Sequence, residues 1–133
     1  MARILAVDFG EKRIGLAISD ESKKIAFRYK TIENNSFQKV VAEFQEIIKK
    51  ENIEKIVFGL PLTLKSADSE TTKKARDFFK KLKKAVSAEM VLSDERFSSK
   101  MAKKMLSFQK TTKEIIDQEA ARIILEDYLK SSV

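Results

Sequence analysis

Three carboxylates stand out in a chain that contains neither histidine nor cysteine: Asp8, Glu95 and Asp117. Asp8 closes the apolar run that starts at Arg3, and a carboxylate at the end of a buried strand costs desolvation energy unless a cation or hydrogen bonds compensate it. Asp94 and Glu95 lie just past another apolar run, where strand alternation sends the two to opposite sides, so either one can face a site. Asp117 falls near the start of a C-terminal helix, on the same face as Ala120, Ala121, Ile124 and Tyr128, which is its apolar side. Without histidine the commonest general base and transition-metal ligand are missing, and without cysteine so are disulfides, thiolate metal sites and thiol nucleophiles. If the three acids converge, the chemistry left to them is that of a hard, oxygen-ligated cation, Mg2+ or Mn2+, activating water for in-line attack on a phosphodiester.

The neighbours of these acids suit a phosphate-bearing substrate. Lys12 and Arg13 follow Asp8, and Arg96 follows Glu95, where it can grip a phosphate in bidentate fashion. Gly10 and Gly15 read as room for close backbone approach to a ligand. Gly59-Leu60-Pro61-Leu62 brings no side-chain chemistry, and Gly59 and Pro61 either shape the floor of the site or form only a turn. Plainer readings stand beside each of these. Asp8 can cap a turn or belong to a phosphate loop, and the segment after Asp94 can be an ordinary strand exit into a serine-capped helix. Glu119 lies on another helix face with Arg122 and Glu126 and reads as a surface residue.

The elements that must position these residues follow from hydrophobic period. The 133 residues, 43% apolar and 35% charged, suffice for one core and one domain, residues 1–133. No stretch has the apolar length of a membrane span and no signal peptide opens the chain, so a cytoplasmic protein without membrane association is expected. The net charge of +7 and a pI near 9.5 favour a polyanionic partner such as nucleic acid, although lysine-rich helices can be merely solvated. Strands are expected at Arg3–Asp8, Arg13–Ser19 and Ile25–Ile32, forming an antiparallel meander. Phe37, Val40, Val41, Phe44, Ile47 and Ile48 then recur at helical spacing behind a Ser36 N-cap. A strand at Lys55–Leu60, ended by Gly59 and Pro61, precedes a helix carrying Ala75, Phe78, Phe79, Leu82 and Val86, whose outer face is crowded with lysines. A fifth strand at Glu89–Asp94 leads to a short helix with Ala102, Met105 and Leu106, capped by Ser98 or Ser99. The last helix opens at Thr111-Thr112-Lys113-Glu114 with capping-box spacing and runs to about Leu129. Strands separated by amphipathic helices imply parallel crossovers, so the expected class is α/β, a mixed five-stranded sheet with helices on its faces. That layout matches the ribonuclease H-like fold, and the pattern alone also fits other α/β folds.

Taken in order, Asp8-Phe9-Gly10 with Lys12-Arg13-Ile14-Gly15 and Ser19-Asp20, then Gly59-Leu60-Pro61-Leu62, Asp94-Glu95-Arg96-Phe97-Ser98-Ser99 and Asp117-Gln118-Glu119-Ala120-Ala121 resemble the YqgF family, also called RuvX, of the RuvC-type ribonuclease H-like superfamily. The resemblance implies a nuclease with a metal site at Asp8, Glu95 and Asp117. It implies action on the 16S ribosomal RNA precursor, with the ribosome as a possible associate, or on branched DNA as a Holliday junction resolvase. Thr63 and Ser66 depart from the family's usual asparagine and glycine, and the segment before Asp117 is short, with only Lys110 and Lys113 as cations. Glu95 would also have to replace a glutamate that resolvases place on the fourth strand. Two other classes compete. An actin-like ATPase or sugar kinase also begins Asp-x-Gly but needs two such domains; a non-catalytic nucleic-acid-binding module would keep salt-sensitive binding without needing magnesium. Monomer and homodimer both remain open, and a symmetric junction suits a dimer.

Overall fold

A computed structural model describes residues 2–61, 70–95 and 112–131. Five strands form one sheet in the order β3-β2-β1-β4-β5: β1 (Arg3–Asp8), β2 (Arg13–Ser19), β3 (Ala26–Glu33), β4 (Ile53–Pro61) and β5 (Glu89–Glu95). The first three pair antiparallel through short connections, whereas β4 and β5 run parallel to β1. Among the described residues three helices cover the sheet: α1 (Phe37–Lys50), α2 (Glu70–Ala85) and α3 (Lys113–Ser131).

The central strands are apolar at consecutive positions because both their faces are covered. Leu5, Val7 and Phe9 join Phe44, Ile47, Phe78 and Leu82 in the core under α1 and α2, and Ile4 and Ala6 join Ala121, Ile124 and Leu125 in the core under α3. Alternation along β1 therefore gives Asp8 the face that α3 covers. Phe9, Phe58 and Phe78 cluster beneath α2, with ring centroids 5.0–6.0 Å apart. None of the described helices is long and apolar enough to cross a membrane.

Several boundaries differ from expectation for identifiable reasons. Strand β4 is longer than the expected Lys55–Leu60; it starts at Ile53 and continues through Pro61, paired with β5. Pro61 has no N–H to give, and it sits two residues beyond Gly59, the last partner of β1, where a missing donor is tolerated. Strand β3 starts one residue later than its apolar run, at Ala26, and α2 stops one residue before Val86. Ser36 does cap α1, accepting from the Lys39 amide at 3.5 Å. The cap of α3 is Thr112, which accepts from the Ile115 amide at 3.3 Å; this puts Ile115 rather than Glu114 at the third helical position, so no capping box closes there. The short helix expected around Ala102, Met105 and Leu106, with its Ser98 or Ser99 cap, lies outside the described residues.

Glu119 is a correction. It is not a surface residue but only 7% exposed. Helix α3 packs across β1, β2 and β3, so the flank of its apolar stripe is also drawn inside. The buried carboxylate is tolerated because Arg122 holds both of its oxygens, Nε at 2.6 Å and a terminal nitrogen at 2.8 Å, while the other guanidinium nitrogen reaches Glu126 at 2.6 Å. These bonds, led by those to Glu119, raise the Arg122 pKa despite its partial desolvation.

The β2–β3 turn rests on Asp20. Its carboxylate accepts from the Ser22 hydroxyl and from the Lys24 and Ile25 amides, at 2.8 and 2.9 Å for the two amides, while Lys23 adopts a left-handed φ of 61°. The Ser22 hydroxyl first, then the Ile25 amide, hold the carboxyl well below the usual carboxylate range. A depressed folded-state pKa contributes stability that is complete above the unfolded value and is lost as pH falls toward the folded one. Asp20→Asn should therefore lower the melting temperature at neutral pH, and its gap from wild type should narrow below about pH 4. Thermal melts of both proteins at pH 7 and pH 3 check this; a gap that widens in acid contradicts it.

Candidate active site

The carboxyl ends of β1, β4 and β5 lie side by side, which is where parallel strands present their terminal residues to a ligand. Asp8 pairs across β1–β2 with Gly15 and across β1–β4 with Gly59, and Gly59 pairs with Ser93 on β5. The same register pairs Leu60 with Asp94 and Pro61 with Glu95. Position 95 therefore shares the sheet face of positions 91, 93, 59 and 8, and position 94 takes the other face. Arg96 lies outside the described residues.

Asp117 reaches this corner through helix α3. A methyl group built on Gly15 would lie 2.1 Å from the Asp117 carbonyl oxygen and 2.8 Å from its Cβ, so the helix backbone rests directly on the strand at Gly15. Because Gly15 is also the partner of Asp8, one glycine brings the two acidic positions together. The phase of α3 is set by Ala120 and Ala121, buried against the sheet. Its first turn is tied to β3, where the Thr31 hydroxyl donates to the Glu114 carbonyl at 2.7 Å and the Gln118 amide donates to the Thr31 oxygen at 3.2 Å.

Arg13 belongs to the same corner. Its Nε donates to Asp117 Oδ2 at 2.9 Å, with the two side chains 33% and 19% exposed. Arg13 thus neutralises an acid as well as presenting charge outward. Lys12 is exposed, and both line a cleft of about 530 Å3 with Glu11, Glu33, Asn34 and Glu114. Gly10 and Gly15 do not leave space for a ligand, contrary to expectation. A methyl group on Gly10 would stand 2.2 Å from the Arg13 carbonyl oxygen, so both glycines make room for the protein's own backbone.

Sequence reasoning missed Asn34, whose side chain donates to the Gly10 carbonyl at 2.9 Å and whose own amide donates to the Lys12 carbonyl at 2.9 Å. It clamps the loop between Asp8 and Arg13. Thr31 and Gln118 were missed in the same way. Asn34 is a polar residue just past a strand end, Thr31 one within β3 and Gln118 one on α3, and each of these patterns is too common to single one out.

The donor chemistry suits a divalent cation. Asp8 and Asp117 are carboxylates at adjoining positions, the donor type a hard cation takes, and histidine and cysteine are absent. Among the described residues no group of three acidic side chains forms a complete metal cage. Position 95 is fixed by the backbone register of β5.

With this geometry in hand, known proteins show what the chain resembles. A sequence profile of the RuvX family, described as Holliday junction resolvase, matches residues 2–131. A protein of Maridesulfovibrio salexigens named "Putative pre-16S rRNA nuclease" is 40% identical over 131 residues, covering 96% of this chain and 97% of its own. One of the same name from Sulfurihydrogenibium is 41% identical over 133 residues, covering 97% and 90%. Among solved structures, T. thermophilus RuvC in complex with a Holliday junction superposes with a TM-score of 0.63 at 10% identity over 99% of this chain and 96% of that one. The yeast mitochondrial Holliday junction resolvase Ydc2 superposes with a TM-score of 0.53 at 9% identity, covering 99% and 85%. At such identities the likeness is one of fold, and that fold is the ribonuclease H-like one.

Proposed function

Since the chain belongs to the RuvX Holliday junction resolvase family, we propose that it is a nuclease that hydrolyses phosphodiester bonds in structured nucleic acid with a divalent cation, Mg2+ or Mn2+, held by Asp8, Asp117 and Glu95. The observation that carries this reading is the juxtaposition of Asp8 and Asp117 through Gly15 at the end of β1. A bound cation would supply Lewis-acid stabilisation of the phosphate and a more acidic water.

The chain's own residues do the rest. Asp8 is on a central strand and Asp117 on a helix resting on that sheet, so their backbones hold fixed places, which lowers the reorganisation needed at the moment of reaction. Arg13 restrains Asp117 and balances its charge when the cation is away. Lys12 and Arg13 meet the phosphates next to the scissile bond, and Arg96, next in sequence to Glu95, adds a third cation for them. Gly59 and Pro61, on the strand between Asp8 and β5, form the floor.

Maturation of the 5′ end of the 16S rRNA precursor is the preferred activity, supported by the names of the relatives that match nearly end to end. It would place the protein in the cytoplasm, alongside assembling ribosomes. Resolution of branched DNA is the second reading, favoured by the likeness in fold to junction resolvases. Incubating the protein with a precursor rRNA fragment and with a four-way DNA junction, each with Mg2+, Mn2+ or excess chelator, separates them. Metal-dependent cleavage of the RNA at a discrete site is the expected result. Cleavage of the junction alone would reassign the substrate, and binding without cleavage of either would leave a nucleic-acid-binding module.

A further inference from the structure

Helix α2 carries seven lysines and arginines against two acids, so most of the chain's net charge of +7 is concentrated on one element of sixteen residues. Its inner face is already committed, because Ala75, Phe78 and Leu82 fill the core beside Phe9 and Phe58. At 100° per residue Lys73, Lys80 and Lys84 fall diametrically outside that face, and all three are exposed.

Among the described residues outside α2, ion pairing is commoner but not general: Lys12, Lys24, Arg28, Lys39, Lys49, Lys50 and Lys113 have none. Arg3, Arg13, Lys23, Lys30, Arg122 and Lys130 each have a carboxylate partner. Among the described residues the one such pair on α2 is Lys74 with Glu11, at 3.2 Å, while Lys81 and Lys83 lie over the rings of Phe37 and Phe79. Among the described residues no carboxylate comes within ion-pair distance of Lys73, Lys80 or Lys84. Asp77 lies between Lys73 and Lys80 on this side of the helix, whereas Lys80 and Lys84 are like charges four residues apart, a local repulsion in this stripe that a polyanion would relieve.

Its position gives the stripe a direction. The Lys74–Glu11 pair fastens the first turns of α2 to the loop that also holds Lys12 and Arg13, at the Asp8 end of the sheet. As the crossover between parallel strands β4 and β5, α2 then runs back toward the opposite end. From Lys73 to Lys84 the stripe extends for about 16 Å, the rise of about five base pairs at ~3.4 Å each.

We propose that the outer face of α2 is a second nucleic-acid contact, a phosphate-binding ridge that grips the duplex flanking the scissile bond and leads it away from the carboxylate corner. The proposal rests on the nuclease reading for what lies at the other end of the ridge, but its binding test does not depend on cleavage. The ligand chemistry is the duplex phosphate backbone, which both structured RNA and branched DNA possess.

The test compares wild type with Lys73→Gln/Lys80→Gln/Lys84→Gln and with a control, Lys24→Gln/Lys49→Gln/Lys50→Gln. The control removes the same charge from exposed positions at the far end of the molecule. Binding of a fluorescent hairpin RNA and of a four-way DNA junction is measured with chelator present over a range of salt. The α2 variant should bind at least about tenfold more weakly and lose about 2 to 3 from the slope of log affinity against log salt, while the control changes little. Loss on the RNA alone or on the junction alone identifies which duplex the ridge serves. Equal losses in the two variants would reduce the effect to bulk charge, and an unchanged α2 variant, or a wild type that binds neither probe, would equally overturn the ridge. If the triple variant does not fold, Lys73→Gln/Lys80→Gln makes the same comparison. A ridge variant that loses binding beside a wild type that never cleaves would refute the nuclease reading and leave the ridge standing.

Discussion

Replacing Gly15 by alanine is expected to lower the melting temperature by about 10 °C and cleavage by about a hundredfold. The added methyl group would sit 2.1 Å from the Asp117 carbonyl oxygen, 2.3 Å from its carbonyl carbon and 2.8 Å from its Cβ. None of these is the far end of a flexible side chain that could swing aside. Strand β2 cannot retreat either, since Gly15 is paired on one side with Asp8 and on the other with Thr31. Helix α3 must therefore lift, loosening the packing of Ala121, Ile124 and Leu125 against Ile4, Ala6 and Val57. Overpacking of this kind costs about 3 kcal/mol, at the upper end of its usual range because backbone meets backbone. The same displacement carries Asp117 away from Asp8, and a misplacement of about 1 Å at a reacting group costs on the order of a hundredfold in rate. Thermal melts and cleavage assays on one preparation check both halves; an unchanged melting temperature would mean that α3 does not rest on β2 as described.

Asp8→Asn separates charge from shape. Asparagine has nearly the volume of aspartate and keeps a carbonyl oxygen, so the sheet should form and melting without metal should move little. The neutral amide is a much poorer ligand for a hard cation, and the positive charge brought to the phosphate goes with it. The expected loss is at least about a thousandfold in cleavage, equivalent to about 4 kcal/mol of transition-state stabilisation. Single-turnover cleavage with saturating protein checks the rate, and circular dichroism melts show that the fold survives. Asp8→Asn and Gly15→Ala thus strike the same site differently, one with the fold intact and the other through the fold.

Much of this arrangement is legible along the chain because its determinants are local. The apolar run ending at Asp8 fixes a strand, and the helical phase linking Asp117 with Ala120, Ala121 and Ile124 sends that residue toward the sheet. The alternating helices and strands after residue 36 imply the parallel crossovers that line up β1, β4 and β5. What escaped is long-range. Gly15 reads as an opening for a ligand until the helix that occupies it is brought across from the other end of the chain. Asn34, Thr31 and Gln118 acquire their positioning roles only from partners distant in sequence. Glu119 follows an ordinary surface pattern with Arg122 and Glu126, and its burial depends on how far α3 spreads over the sheet. The choice between positions 94 and 95 is a matter of pairing register, which puts position 95 opposite Pro61 and on the face of Asp8.

The proposed mechanism has Asp8 and Asp117 together holding the divalent ion that drives phosphodiester cleavage. It is tested most directly by titrating Mn2+ into wild type and Asp8→Asn, following the free ion by electron paramagnetic resonance, and assaying RNA cleavage in the same samples. Wild type should take up Mn2+ and gain cleavage in proportion, and Asp8→Asn should do neither. Cleavage that persists in Asp8→Asn, or in wild type under excess chelator, would contradict the account.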